Sequence, residues 1–203
     1  MADTENHVFI NCPFDAEYRP LFEAMVFVIH HCGFVARSAM EGDDGSQVRI
    51  DKIATIIAES PLGIHDISRT EPDAGSGLPR FNMPLELGMF LGAKRYGNPR
   101  QRRKLCLILD RDRYRYQQFC SDIAGQDIRA HQNDPALLIR VLRDWLRNVL
   151  MHTATLPGAS RIAERYATFQ AELPQICRLL GMDADELVFN DLTMLVSAWL
   201  HEN

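Results

Sequence analysis

Short apolar runs alternate with amphipathic segments through the first three quarters of the chain, and this alternation constrains the fold more than any other feature. Five runs rich in β-branched or aromatic residues predict strands. The run at residues 104–109 is almost continuously apolar, which is typical of a strand covered on both faces. The predicted strands cover residues 7–11, 34–37, 61–68, 104–109 and 127–130.

Segments with helical periodicity separate these strands. We expect Asp15, Ser46, Asn82 and either Asn133 or Asp134 to cap four of them, because their side chains can accept from exposed backbone N–H groups. Regular alternation of strand and helix favours a parallel sheet. The sequence therefore predicts an α/β fold with a flavodoxin-like five-stranded parallel sheet and helices on both faces. The predicted helices cover residues 16–31, 47–59, 83–94, 110–121 (irregular) and 135–151.

The last quarter of the chain has a different pattern. Pro157 and Gly158 mark a boundary, beyond which residues 160–180 and 183–201 both predict amphipathic helices. We therefore divide the chain into an α/β domain at residues 1–155 and a helical extension at residues 156–203. The extension is expected to pack on the core or on a second subunit.

Charge and cysteine content exclude several classes of function. The net charge of −5 argues against general nucleic-acid binding, although residues 100–104 form a local basic run. Five cysteines without a CxxC spacing suit a reducing compartment and favour neither a disulfide framework nor a metal site. The polar N-terminus resembles no signal peptide, and no apolar run reaches the roughly 20 residues that span a bilayer. We predict a cytoplasmic protein with no membrane, nucleic-acid or metal partner.

The predicted helix at residues 83–94 carries one carboxylate among apolar residues. Asn82 is expected to cap it and Pro84 suits its first turn, where Glu86 is also expected. Attraction to the helix dipole alone explains an acid there. However, Gly88 and Gly92 allow a ligand to come close, and the preceding loop at residues 66–80 is long and polar. Loops of that length in compact domains tend to be functional.

In open parallel sheets, ligands bind outside the carboxyl ends of the strands, where the strand order reverses. In a flavodoxin-like order that point lies between the first and third strands, and the helix bearing Glu86 opens onto it. We therefore predict one pocket there. Its predicted binding residues are Asn11, Cys12, Pro13, Phe14, Asp66, Ser68, Arg69, Arg80 and Asn82.

Two carboxylates and an aromatic wall suit chemistry at the anomeric carbon of a ribose. Glycosidic cleavage passes through an oxocarbenium-like state, which Glu86 could stabilise or capture. Asp66 could hold ribose hydroxyls, and Phe14 could stack on a base. Alternatively, Asp66 caps a turn and Phe14 belongs to the core. Cys12 as a nucleophile has no histidine placed by the sequence to activate it.

The arginines at this edge have two interpretations as well. Arg69 and Arg80 could contact phosphate, or they could simply be solvated loop residues. The chain has no GxGxxG and no GxxxxGK[ST] motif, so neither dinucleotide-dehydrogenase nor P-loop chemistry is supported.

Three short stretches resemble known families. Residues 8–15 (VFINCPFD) resemble the opening strand and loop of Toll/interleukin-1 receptor (TIR) domains. Residues 82–88 (NMPLELG) are similar to the glutamate-bearing helix of TIR-type NAD hydrolases and nucleoside 2-deoxyribosyltransferases. Residues 64–68 resemble the deoxyribosyltransferase strand that ends in a sugar-binding aspartate. The resemblance extends over residues 7–150 in layout, but TIR domains often have Trp-Cys where this chain has Asn82-Met83.

This resemblance implies that Glu86 is catalytic, that Asp66 binds sugar and that a nucleotide is the substrate. It also implies self-assembly into a homo-oligomer and a role in antiphage defence. The first hypothesis is thus a TIR-like N-glycosidase that cleaves NAD or a related nucleotide without a cofactor. The alternative is a nucleotide-sensing module that oligomerises through its C-terminal helices without turnover. A third possibility is a scaffold in which Glu86 only interacts with the helix dipole.

Overall fold

The computed structural model describes residues 4–42, 44–72, 75, 77–150 and 155–203. Within these residues five strands form one all-parallel sheet in the order β2-β1-β3-β4-β5. This arrangement confirms the predicted α/β class and the flavodoxin-like order, with the reversal between β1 and β3. The strands are β1 (His7–Asn11), β2 (Val35–Ser38), β3 (Leu62–Asp66), β4 (Leu105–Asp110) and β5 (Arg129–Ala130).

Helices connect these strands and extend beyond the sheet. The irregular helix predicted at residues 110–121 is present only as two short 3₁₀ helices, Arg115–Gln118 and Ser121–Ile123, after a left-handed Tyr114 (φ 63°). The helices are α1 (Arg19–His31), α2 (Arg49–Glu59), α3 (Asn82–Tyr96), α4 (Pro99–Arg102), α5 (Pro135–Val149), α6 (Ala159–Leu179) and α7 (Phe189–Glu202).

The helix starts show which capping predictions hold. Asp134 caps α5 as predicted, because its carboxylate accepts from Ala136 N at 2.8 Å. Ser46 does not cap α2: the helix begins only at Arg49, and the Ser46 hydroxyl donates to Asp44. The predicted end of α5 at Met151 lies outside the described residues.

Alternate residues of each strand face opposite layers of helices. Val8 and Ile10 pack in the core cluster of α1 and α5, whereas Phe9 packs against α2 and α3. In β3, Ile64 shares the α1 side, while His65 contacts Phe9 and Phe90 on the α3 side. This alternation fixes the side of the sheet that a side chain at the end of a strand faces.

The C-terminal helices form a further layer over α1 and α5. The ring of Phe27 in α1 lies 5.4–5.9 Å from the rings of Tyr166, Phe169 and Trp199. Buried residues of α6 and α7 belong to the same core cluster as those of α1. In this structure the predicted extension therefore packs on the core of its own chain.

In the described part of the chain, no helix combines the length and apolar character that a membrane crossing requires.

Candidate functional site

A cavity of about 770 Å³ opens beside the carboxyl end of β1, on the side of β2. Its size is within the range of small-molecule sites. The loops after β1 and β2, the start of α2, one side of α1 and the segment that leads into α7 supply its walls. The lining residues include Phe14, Arg19, Phe22, Glu23, Arg49, Lys52, Val188, Phe189 and Asn190.

One part of the lining is aromatic. The ring of Phe14 lies 5.6 Å from Phe22 in an edge-to-face arrangement, and Phe22 lies 6.0 Å from Phe189. Phe14 keeps 42% of its surface exposed, so it borders the cavity and is not part of the core. Exposed aromatic surface of this kind suits contact with a planar heterocycle.

Another part of the lining is cationic. Arg49 and Lys52 lie at the start of α2, and Lys52 Nζ donates to the carbonyl of Gly42. The other cation of the cavity, Arg19, is neutralised by Glu23, whose carboxylate accepts from Arg19 Nε at 2.7 Å. Arg49 and Lys52 are therefore the cations available to an anionic ligand.

Glu86 is not among the residues that line the cavity, but it lies close enough to Arg49, at the cationic end, for the two charges to interact. Burial raises the pKa of the Glu86 carboxyl group from 4.5 to about 7, and the charge of the Arg49 guanidinium only partly offsets this effect. Glu86 is only 8% exposed, and no hydrogen bond from the described residues engages its carboxylate. A mostly buried carboxyl group with a raised pKa is typical of functional sites.

The start of α3 differs from the sequence prediction. The helix begins at Asn82 itself, after Phe81, and no side chain at Phe81 caps it. Glu86 is consequently the fifth residue of the helix, and its predicted position in the first turn is wrong. Because the dipole effect falls off within the first turn, it explains Glu86 poorly.

Asn11 links this helix to the sheet. Its Nδ2 donates to the carbonyl of Met83 at 2.8 Å and lies 3.0 Å from His65 Nδ1. Burial and the nearby Lys104 charge lower the pKa of His65 to about 3, so the ring is neutral and its Nδ1 can accept. Asn11, predicted to bind substrate, thus uses its amide nitrogen to position α3 and with it Glu86.

Asp66 belongs to the opposite side of the sheet. It is fully buried, and its carboxylate accepts from Tyr18 Oη at 2.5 Å and from Ser68 N at 2.8 Å, with His131 Nε2 at 2.9 Å. Burial alone raises the pKa of Asp66, but these donors outweigh it and hold the pKa below its ordinary value. The structure therefore does not bring Asp66 to the cavity of Phe14.

Cys12 is buried and close enough to both acids to be affected by their charges. Burial, followed by the charges of Asp66 and Glu86, raises the pKa of its thiol well above its usual range. A thiol that stays protonated is a poor nucleophile. The structure therefore favours the structural interpretation of Cys12 over the nucleophilic one.

The remaining predicted binding residues are spread around this edge. Pro13 lines the cavity together with Phe14. Ser68 is buried beside Asp66, and Arg69 forms ion pairs with Asp15 at 3.2 Å and Glu17 at 2.7 Å. Arg80 and Asn82 are exposed and lie outside the lining of the described cavity.

Sequence reasoning missed Arg49, Lys52 and the α7 segment. Ser46 was expected to start a helix at residue 47, and nothing in that pattern indicated that the side chains of its first turn face a cavity. No periodicity indicates that residues 187–190 reach the end of β1, because that contact arises only when α7 packs on α1.

Within the described ranges, no group of three or more His, Cys, Asp or Glu residues is arranged to hold a metal ion. Comparison of the chain with protein-family models, with curated proteins and with solved structures found no match. Fold and site together define a flavodoxin-like α/β protein with a ligand-sized cavity at the carboxyl edge of its sheet.

Proposed function

We propose that this protein is a TIR-like N-glycosidase that cleaves the ribose–base bond of NAD or a related nucleotide, with Glu86 as the catalytic carboxylate. The observation that carries the proposal is the mostly buried Glu86 carboxyl group, whose raised pKa responds to Arg49, a residue of a cavity that has both an aromatic and a cationic part. The resemblance of residues 82–88 to the glutamate-bearing helix of such enzymes supports the same assignment.

The chemistry requires a negative charge near the anomeric carbon. As the C–N bond of NAD breaks, its electron pair neutralises the pyridinium ring and positive charge develops on the ribose. The Glu86 carboxylate would stabilise this charge or attack the carbon. Water then adds to the ribose and releases one proton. Only ionised Glu86 can do this, so the rate should rise with pH through about 7.

The cavity offers matching contacts for the rest of a nucleotide. Phe14 would pack on the base, and Arg49 and Lys52 would contact phosphate oxygens. Asn11 takes part indirectly by holding the first turn of α3. Asp66 enters this proposal as a positioning residue, because its carboxylate is fully engaged in the interior.

Replacing Glu86 with glutamine tests the proposal, because the amide keeps the shape and removes the charge. We expect at least about a hundredfold loss in the rate of nicotinamide release from NAD, measured by chromatography. Glu164→Gln is the matched control, since Glu164 lies on the exposed face of α6 and should leave the rate unchanged. Base release that persists at the wild-type rate in Glu86→Gln would remove Glu86 from the mechanism.

One observation favours a second candidate, a nucleotide sensor without turnover. The segment that leads into α7 lines the cavity, so a bound nucleotide would contact the C-terminal helices directly. A sensor should show a raised melting temperature and a changed mass by light scattering with NAD, but no released base. Homo-oligomerisation, a cytoplasmic location and a role in antiphage defence stay predictions that accompany either function.

A further inference from the structure

We propose that the segment entering α7, residues 187–190, forms the wall of the base subsite, so that the heteroaromatic base packs between this segment and Phe14. The inference rests on the proposed function and extends it to the C-terminal helices. These helices lie outside the part of the chain that resembles the TIR and deoxyribosyltransferase families. The inference gives α7 and the residues before it a role in substrate recognition in addition to the role of α7 in the core.

The aromatic lining of the cavity is continuous across the two parts of the chain. Phe22 of α1 contacts both Phe14, which follows β1, and Phe189, the first residue of α7. Val188 precedes Phe189 and keeps 61% of its surface exposed at the cavity. Phe14 and Val188 thus expose apolar surface beside the packed phenylalanine rings. Such a surface suits contact with a planar heterocycle.

Arg19 fixes this wall in place. Its Nη1 donates to the carbonyl of Asp185 at 2.7 Å and its Nη2 to the carbonyl of Ala184 at 2.5 Å. Its Nε donates to Glu23, which also accepts from Gln170 of α6 at 2.9 Å. Two of the three guanidinium nitrogens therefore join α1 to the segment before α7, and the third holds Glu23, which links α1 to α6. A wall held in this way is preorganised, which lowers the entropic cost of binding.

The α2 part of the lining is cationic, because Arg49 and Lys52 are the available cations there. A ligand that fits both parts combines a heteroaromatic ring with phosphate. The α7 wall would contact only the ring. A change in this wall should consequently alter the affinity for a nucleotide and leave the chemical step at Glu86 intact.

Val188→Trp tests the inference, because its larger side chain would occupy the base subsite. With the full chain and NAD as the probe, we expect KM to rise at least tenfold while kcat changes less than threefold. Met194→Trp is the matched control: Met194 is also exposed and lies within α7, but it does not line the cavity, so both constants should stay within twofold. An unchanged KM in Val188→Trp overturns the inference.

A melting temperature measured for each variant reports on folding. Should Val188→Trp melt well below the wild type, Val188→Ser replaces it, and KM must then rise at least threefold because apolar contact is lost. A wild-type KM in a folded Val188→Ser variant overturns the inference.

The outcome separates this inference from the proposed function. If turnover depends on Glu86 but KM is unchanged in Val188→Trp, the glycosidase proposal stands and the α7 wall is rejected. If the wild type releases no base, calorimetric titration with NAD decides: a tenfold weaker Kd in Val188→Trp supports the wall. Equal affinity in both proteins, or no binding to the wild type, rejects it.

Discussion

Replacing Asp66 with alanine is expected to lower the free energy of unfolding by about 3–5 kcal/mol at pH 7, as is typical when one partner of a buried charged network is removed. Asp66 is fully buried, and its carboxylate is within hydrogen-bond distance of Tyr18 Oη, Ser68 N and His131 Nε2. The substitution would leave these buried groups without an acceptor and create a small void. Urea denaturation followed by circular dichroism measures the difference.

Asp112→Ala provides the control for this experiment. Asp112 is an exposed carboxylate that pairs with the neighbouring Arg111, and surface pairs of this kind contribute about 1 kcal/mol or less. The free energy of unfolding of Asp66→Asn should lie between those of Asp66→Ala and Asp112→Ala, because asparagine keeps the shape of the side chain but loses the charge. If the free energies of unfolding of Asp66→Ala and the wild type differ by less than about 1 kcal/mol, the network that the structure places around Asp66 is wrong.

Acid should reduce the difference in stability between the wild type and Asp66→Ala. Because the pKa of Asp66 lies below its ordinary value of 3.8, the folded state holds this carboxylate ionised more tightly than the unfolded state does. The stabilisation is therefore present above pH 4 and is lost as the pH falls through the folded-state pKa. Wild type and Asp66→Ala should become more similar in stability as the pH approaches 2.

The fold could be predicted from the sequence because its signals are local. The continuously apolar β4 and the regular alternation of strand and helix depend on residues next to one another in the chain. The flavodoxin-like strand order then followed from the preference of such sheets. Where local signals competed, the prediction failed. Ser46 has the residue type of a cap, yet it bonds to Asp44 two residues earlier, and the helix starts later.

Asp66 illustrates why the site was harder to predict than the fold. Its position at the carboxyl end of β3 was correct, but its side chain faces α1, whereas Glu86 lies on the α3 side. Side chains alternate between the two faces of a strand, so Asp66 faces the same side as Ile64, two residues earlier. Ile64 packs with α1. Its partner Tyr18 is 48 residues away in the chain, so no sequence pattern indicated that the carboxylate would be engaged in the interior.

The cavity itself depends on contacts that only the folded chain makes. Phe14 could be identified because it directly follows the first strand. Val188 reaches the same cavity only because α7 packs against α1, more than 150 residues earlier in the chain. The amphipathic pattern of α7 predicted that it would cover an apolar surface, but not which surface.

Glu86 should make the protein less stable as the pH rises from about 5 to 8. Its folded-state pKa of about 7 lies above the ordinary value of 4.5, so the folded state binds a proton that the unfolded state has already released. The contribution of Glu86 is fully present below pH 4.5 and is lost as the pH rises through 7. At about 1.4 kcal/mol for each pKa unit, the loss is on the order of 3 kcal/mol.

Glu86→Gln should remove this pH dependence, because the amide does not titrate. Its free energy of unfolding should match that of the wild type near pH 4 and exceed it by about 3 kcal/mol near pH 8, measured by urea denaturation at both values. Glu164→Gln, on the exposed face of α6, should remain parallel to the wild type throughout. A difference between Glu86→Gln and the wild type that stays constant from pH 5 to 8 would show that Glu86 ionises as an exposed acid does. A stabilised but inactive Glu86→Gln variant would mean that the chain retains a destabilising acid for its chemistry, as active sites often do.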